Sequence, residues 1–435
     1  MGSRTDPNAV AFNAALANRF VPAATQSAVV ARLRIGAATV SGASRPPVNL
    51  GLVVDTSGSM EGQPIDDART AALAAIDALS DGDVVSVVVF HSSASVLVPA
   101  TRLDRSTRAA ARARVLTMRA LGTTDMAGGM ALGLQEVQRR FRADGVNRIV
   151  LLSDGVPNNP ANIELMASQA GARGIAITSL GLGLDFNESI MASIARVSGG
   201  RFHFLEQSSQ VAAVFRDEVL RSRRVLGRNA MLTLTPGPDV RIEGVVGLGM
   251  TPDGNNSMRV SLGDVTETEA RDLIVRLAVG PRRNGASVEL MDAVLSFDDA
   301  IGGAGRLERR LFLGARATSD DHELSSGRDT DVERTAARIE AAAATVDAVR
   351  MARLGNVGEA TQNLLDAERR AREIGTSQND RALIEQAESI NALRNALPSV
   401  AASAPSLAVV APRAAPPAAI LRREHDRAVQ FSNGY

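Results

Sequence analysis

Residues 50–62 read LGLVVDTSGSMEG. Leu50 to Val54 is a continuous aliphatic run broken only by Gly51, the signature of a strand buried on both faces. It ends on Asp55, and Ser57 and Ser59 follow within four residues. This polar cluster is too small to pack and too concentrated for an ordinary turn. A carboxylate and two hydroxyls at the tip of a core strand read as ligands for something bound there.

Outward from this strand, the sequence alternates short apolar runs with longer helical segments. NLGLVV, DVVSVVVF, NRIVLLS and GIAITSLGLG read as buried strands, and RFHFLE as a shorter one. Helices are expected over 64–79, 105–119, 126–142, 160–173, 187–197 and 208–224. Strands alternating with helices at this spacing predict an α/β doubly wound parallel sheet with helices on both faces. The flanks differ. AVAFNAALANRF and SAVVARLRIG before it, and six segments between Asn229 and Ala315, show the period-two pattern of antiparallel strands. The simplest assembly inserts the α/β domain (49–227) into a β-sandwich made of residues 1–48 and 228–316. Residues 328–398 read as a C-terminal helical segment, with Gly355 and Gly375 where helix C-caps are expected. Residues 399–435 read as a Pro/Ala-rich linker and tail.

Composition narrows the chemistry. The 435 residues suggest about three domains. There are 48 basic and 48 acidic residues, so the formal net charge is zero. That argues against general attraction to nucleic acid or to a membrane surface. Aromatic residues make up 3%, so the cores are aliphatic and alanine-rich. With no cysteine, disulfides, thiol nucleophiles and cysteine zinc sites are excluded, and a reducing compartment fits. Every basic residue other than histidine is arginine, which removes a P-loop lysine and Schiff-base chemistry. No secretory signal and no apolar span of ~20 residues is legible, so a soluble cytoplasmic protein is expected.

Two further polar clusters fall at predicted strand tips or helix starts, LGTTDMAGG around Thr124 and LLSDGVPN around Asp154. In an open parallel sheet, ligands gather at the C-terminal strand ends where strand order reverses. Asp55, Ser57, Ser59, Thr124 and Asp154 then form an all-oxygen set without imidazole or thiol. Such a set suits a hard cation, Mg2+ first, with Mn2+ or Ca2+ possible. The histidines, His91, His203, His322 and His425, are scattered and read as structural. The arginine-rich stretch RDEVLRSRRVLGR reads as a solvated helix end.

DTSGSM, GTTD and SDG together resemble the metal-ion-dependent adhesion site of von Willebrand factor A domains. Asp55, Ser57 and Ser59 match its Asp-x-Ser-x-Ser, Thr124 its threonine and Asp154 its last aspartate. The threonine loop reads Gly122-Thr123-Thr124 where the family pattern begins Gly-Gly-Thr. The resemblance extends to bacterial cytoplasmic proteins that hold this domain between β-strands, and more distantly to inter-alpha-trypsin inhibitor heavy chains. It implies a non-enzymatic, Mg2+-dependent protein-interaction scaffold. A partner's Asp or Glu carboxylate completes the metal's coordination, and loops 61–64, 92–101, 156–162 and 184–189 choose it. It also implies partners such as a MoxR-type AAA+ ATPase or another multiprotein assembly. Two other functions fit the same strand tip less well. A Mg2+-dependent phosphohydrolase using Asp55 as nucleophile needs a second aspartate two positions on, where Ser57 stands. An RNA-associated domain conflicts with neutral charge and scarce aromatics.

Overall fold

The computed structural model describes residues 9–40, 45–183, 186–254, 256–353 and 355–402. The expected tail from residue 403 on lies outside them, as do His425 and residues 184 and 185 of one expected loop. The chain opens with β1 (Val10–Leu16), β2 (Phe20–Pro22) and β3 (Ser27–Ala37). An α/β unit follows: β4 (Val48–Asp55), α1 (Gln63–Ala78), β5 (Val84–Phe90), β6 (Ala94–Arg102), α2 (Arg105–Val115), α3 (Met126–Arg139), β7 (Val146–Ser153), α4 (Ile163–Ala172), β8 (Ile175–Leu182), α5 (Glu188–Ser198), β9 (Phe202–Leu205) and α6 (Val211–Ser222). Then come β10 (Val225–Pro236), β11 (Val240–Val245), β12 (Thr251–Pro252), β13 (Met258–Thr266), β14 (Ala270–Val279), β15 (Ser287–Asp299) and β16 (Arg306–Thr318). The chain closes with α7 (Asp321–Ser326), α8 (Thr330–Arg353), α9 (Val357–Ser377) and α10 (Arg381–Ala402).

The α/β sheet has the order β6-β5-β4-β7-β8-β9. β4, β5, β7, β8 and β9 are parallel, and every residue of β4, β7 and β8 is buried. Two cores enclose the sheet: α1, α2 and α6 pack on one face, α3, α4 and α5 on the other. Burial on both faces is why these strands lack polar alternation. One expectation needs correcting. Residues 92–101, expected as a loop over the site, mostly form β6, an antiparallel edge strand in a hairpin with β5. Most of its residues are half-buried or exposed, with only Val98 buried, and a register shift between Val85 and Val87 accommodates Pro99.

The remaining strands make two facing sheets, β1-β3-β14-β11 and β12-β13-β10-β15-β16-β2, around one aliphatic core. The N-terminal strands therefore complete the sandwich. AVAFNAALANRF is not one strand, however. Its second part crosses to the opposite sheet, where Phe20–Pro22 pairs in parallel with the end of β16. Helix α8 lies on the outer face of the first sheet, where Ile274 packs against Ala336 and Ile339. Arg276 of β14 is bonded to Glu340 at 2.8 Å. The helical segment packs through buried alanines and leucines. Gly375 is not a C-cap. It lies inside α9, and a Cβ there would come 2.9 Å from Ile384 Cγ1, so its role is close approach to α10.

The domains meet at the N-terminal end of the parallel sheet. Buried Arg148 of β7 bonds Glu218 of α6 at 3.0 Å and Asp264 of β13 at 3.1 Å. Arg228 donates to the carbonyls of Ala143 and Gly145. Arg223 donates to Ser80 Oγ at 2.8 Å, and Arg221 lies 3.7 Å from Glu269. Of the arginine-rich stretch expected as a solvated helix end, Arg221 and Arg228 are thus part of the inter-domain seam, Arg223 bonds within the α/β domain, and Arg216 and Arg224 are exposed as expected.

Glu269 gives this seam a pH signature. Burial pushes its carboxyl up, but the Arg271 charge and hydrogen bonds from Thr266 outweigh that and hold it at about 2. A depressed carboxyl contributes stability above its ordinary value of 4.5 and loses it as pH falls toward about 2. The expected contribution is about 3 kcal/mol at neutral pH. Urea unfolding of wild type and Glu269→Gln should differ by about that amount near pH 7 and converge only below pH ~2. A difference that does not change with pH would refute the assignment.

Candidate metal centre

β4 is where the strand order reverses: the chain passes from β4 to β5 on one side and returns to β7 on the other. Asp55 ends β4, Ser153 ends β7 and Asp154 follows it, so sequence-distant carboxylates meet at adjacent tips. Asp55 is fully buried. Its Oδ1 accepts from the Ser57 amide at 2.8 Å and its Oδ2 from Ser153 Oγ at 2.5 Å. A 3-10 turn over Gly58–Met60 folds the two serines back, and their Oγ atoms lie 3.1 Å apart. Ser59 Oγ then donates to Asp154 Oδ1 at 2.8 Å. A chain of hydrogen bonds thus links Ser57, Ser59 and Asp154.

The threonine loop is pinned to this turn by its backbone. Leu121 N donates to Thr56 O at 2.7 Å, and Gly58 N to Gly122 O at 2.9 Å. Gly122 has φ +68°, and a Cβ there would lie 2.3 Å from Ser92 Oγ, so both conformation and contact require glycine. Thr124 is buried, and its Oγ1 faces Gly155, where a Cβ would sit 3.0 Å away. Asn158 N donates to Thr124 O at 3.1 Å, tying the β7 loop to the threonine loop. Thr123 turns outward. Its hydroxyl donates to Ser92 Oγ at 3.3 Å and accepts from Asn158 Nδ2 at 3.1 Å, so it braces the rim without crowding the centre. The structure therefore brings together all five residues read from the sequence.

Two supporting residues were missed. Ser153 orients Asp55, yet in the sequence it is one more residue of an apolar strand. Ser92 holds the threonine loop and has no motif of its own. The signal that could have found Ser153 is its place immediately before Asp154, at the register position facing β4's tip.

The electrostatics are one-sided. Burial pushes the Asp55 carboxyl above the ordinary range, and hydrogen bonds from Ser153 and Ser57 offset only part of this. No arginine or histidine pairs with Asp55 among the described residues. Buried carboxylates are normally paired with a cation or bound to a metal. Among the described residues there is no cluster of three or more His, Cys, Asp or Glu side chains. The donor set is two carboxylates and three hydroxyls, which fits a hard dication.

Comparison with known proteins agrees with this architecture. Residues 49–217 match the von Willebrand factor type A domain. The uncharacterized protein sll0103 of Synechocystis is 28% identical over 60% of this chain and 64% of its own length. Human inter-alpha-trypsin inhibitor heavy chain H4 is 29% identical over 40% of this chain and 20% of its own. The chain thus spans less than two thirds of either relative's length. A solved structure described as von Willebrand factor type A from Catenulispora acidiphila superposes with TM-score 0.71 at 22% identity, covering 90% of this chain and 91% of that one. That likeness shows a shared fold through sandwich and helices alike. Among the described residues no helix is long and apolar enough to cross a membrane. Residues 49–217 thus carry the match to the von Willebrand factor type A domain, and the strands and helices on either side share their fold with the Catenulispora acidiphila protein.

Proposed function

We propose that the domain captures an acidic residue of a protein partner through a divalent cation, Mg2+ first and Mn2+ or Ca2+ as alternates, held by Asp55, Ser57, Ser59, Thr124 and Asp154. The observation that carries this reading is the fully buried Asp55 carboxylate, which has no positive partner among the described residues and is linked through Ser57 and Ser59 to a second carboxylate. When bound, the cation would supply an electron-poor centre with room for one external carboxylate. The chain's own groups do the rest. Ser153 and the Ser57 amide fix the Asp55 orientation. The hydroxyls solvate a cation without neutralising it, so charge remains to attract the partner. Asp154 and Ser59 are less buried than Asp55 and form the accessible edge.

The reading is non-enzymatic. No second carboxylate stands at position 57, and no lysine is available to hold a phosphate. The protein partner is of the kind the sequence resemblance implies, a MoxR-type AAA+ ATPase or another multiprotein assembly, in the cytoplasm. Affinity capture from the native host should retain a partner in Mg2+ and lose it in EDTA, and Asp154→Ala should lose it in both. Equal recovery under all conditions would remove the proposal.

A further inference from the structure

Eight large apolar side chains stand exposed among the described residues, and two of them, Leu121 at 60% and Val156 at 55%, lie in the loops that carry Thr124 and Asp154. A lone exposed aliphatic residue means little. These two are held in place beside one site. Leu121 is fixed by its amide to Thr56, the residue between Asp55 and Ser57. Val156 is two residues beyond Asp154, within about 7 Å along the chain. Its loop is locked to the threonine loop by Asn158, through both backbone and side chain. The oxygen cluster lies between these two loops, joined to one by Gly58–Gly122 and to the other by Ser59–Asp154.

The surrounding charge narrows the ligand. Residues 56–63, 121–125 and 154–161 contain no arginine, so nothing in these loops grips a phosphate. Glu61, exposed just past Ser59, repels additional acids nearby. A single carboxylate flanked by apolar groups matches this rim, and a polyacidic or phosphorylated segment does not.

We propose that Leu121 and Val156 are the specificity walls of the site, and that its ligand is a peptide segment of a partner protein in which one Asp or Glu adjoins aliphatic side chains. This rests on the metal-dependent reading above. The carboxylate supplies the ionic anchor, and the two walls shed water onto the neighbouring aliphatic groups. The apolar area they bury favours an aliphatic neighbour over a polar one, and by excluding water they strengthen the anchor.

The test uses the full chain and two labelled peptides, Gly-Leu-Asp-Leu-Gly and Gly-Ser-Asp-Ser-Gly, titrated in Mg2+ and in EDTA, with Mg2+ binding alone measured by calorimetry. Wild type should bind the leucine peptide roughly tenfold more tightly than the serine peptide, and only in Mg2+. The double variant Leu121→Ser/Val156→Ser should bind Mg2+ as wild type does and lose the preference. Both side chains are exposed, so the fold is retained. Mg2+ binding with equal affinity for the two peptides, or with no affinity for either, overturns this inference and leaves the metal reading standing. Absence of Mg2+ binding removes the metal reading and this inference with it. A concentration-dependent dimer that dissolves in the double variant would reassign the face to a second copy of the chain and overturn the inference.

Discussion

Asp55→Asn is expected to abolish stabilisation by Mg2+ while leaving the protein at least as stable as wild type in EDTA. Without a cation, Asp55 is a desolvated carboxylate whose burial raises its pKa, so its charge opposes folding at neutral pH. Asparagine has the same shape and keeps an oxygen for the Ser57 amide, and the Ser153 hydroxyl can turn to accept from the new amide. The change therefore removes a liability of the cation-free state. With Mg2+ the balance reverses. A ligand that binds only the folded state stabilises it by about 2.7 kcal/mol at 100 times its Kd. Wild type should melt several degrees higher in Mg2+ than in EDTA, and the variant at the same temperature in both. Calorimetric melts of both proteins decide this. An equal Mg2+ shift in the two would mean that the cation binds elsewhere.

Glu218→Gln should be the most damaging substitution at the domain seam. Glu218 is fully buried and receives Arg148 at 3.0 Å and Thr178 Oγ1 at 2.8 Å, with the His203 ring 3.7 Å away. Burial alone would push its carboxyl up. The contact with His203 and the Arg148 charge outweigh burial and hold it well below the usual carboxylate range. Glutamine keeps the volume and removes the charge from beside the buried Arg148 guanidinium. Breaking a buried pair in this way costs about 3–5 kcal/mol. Asp264 still faces Arg148, so a loss of about 3 kcal/mol is expected. Urea unfolding followed by circular dichroism measures it. The pH dependence should change in a defined direction: the wild-type advantage is present above the ordinary glutamate range and declines as pH falls below it. A loss under about 1 kcal/mol would show that the ion pair contributes orientation and not stability.

Much of the candidate site was legible because its chemistry is carried by residue types that stand out locally. Asp55, Ser57 and Ser59 interrupt an aliphatic strand, and Asp154 follows another. What supports them was not legible. Ser153 and Ser92 are ordinary serines until the strands pair, and Thr123 looked like a departure until its hydroxyl was seen to bridge two loops. β6 was hidden because an edge strand with a proline and partial burial resembles a loop in sequence. Gly375 looked like a helix stop, although the reason for a glycine there is Ile384 on the next helix.

The sequence by itself determined the α/β class, the sandwich around it and the helical end, and it singled out the five oxygen-bearing residues proposed as the site. Period and residue type are local properties, and a strand buried on both faces cannot disguise itself. Only the tertiary structure decided that Asp55 and Asp154 stand at adjacent strand tips, that Arg221 and Arg228 close a seam, and that Leu121 and Val156 stand beside the site. Those facts depend on which strands pair and which loops share a hydrogen bond. Such pairings join residues about 100 positions apart, as Ser59 and Asp154 are, and no local pattern encodes them.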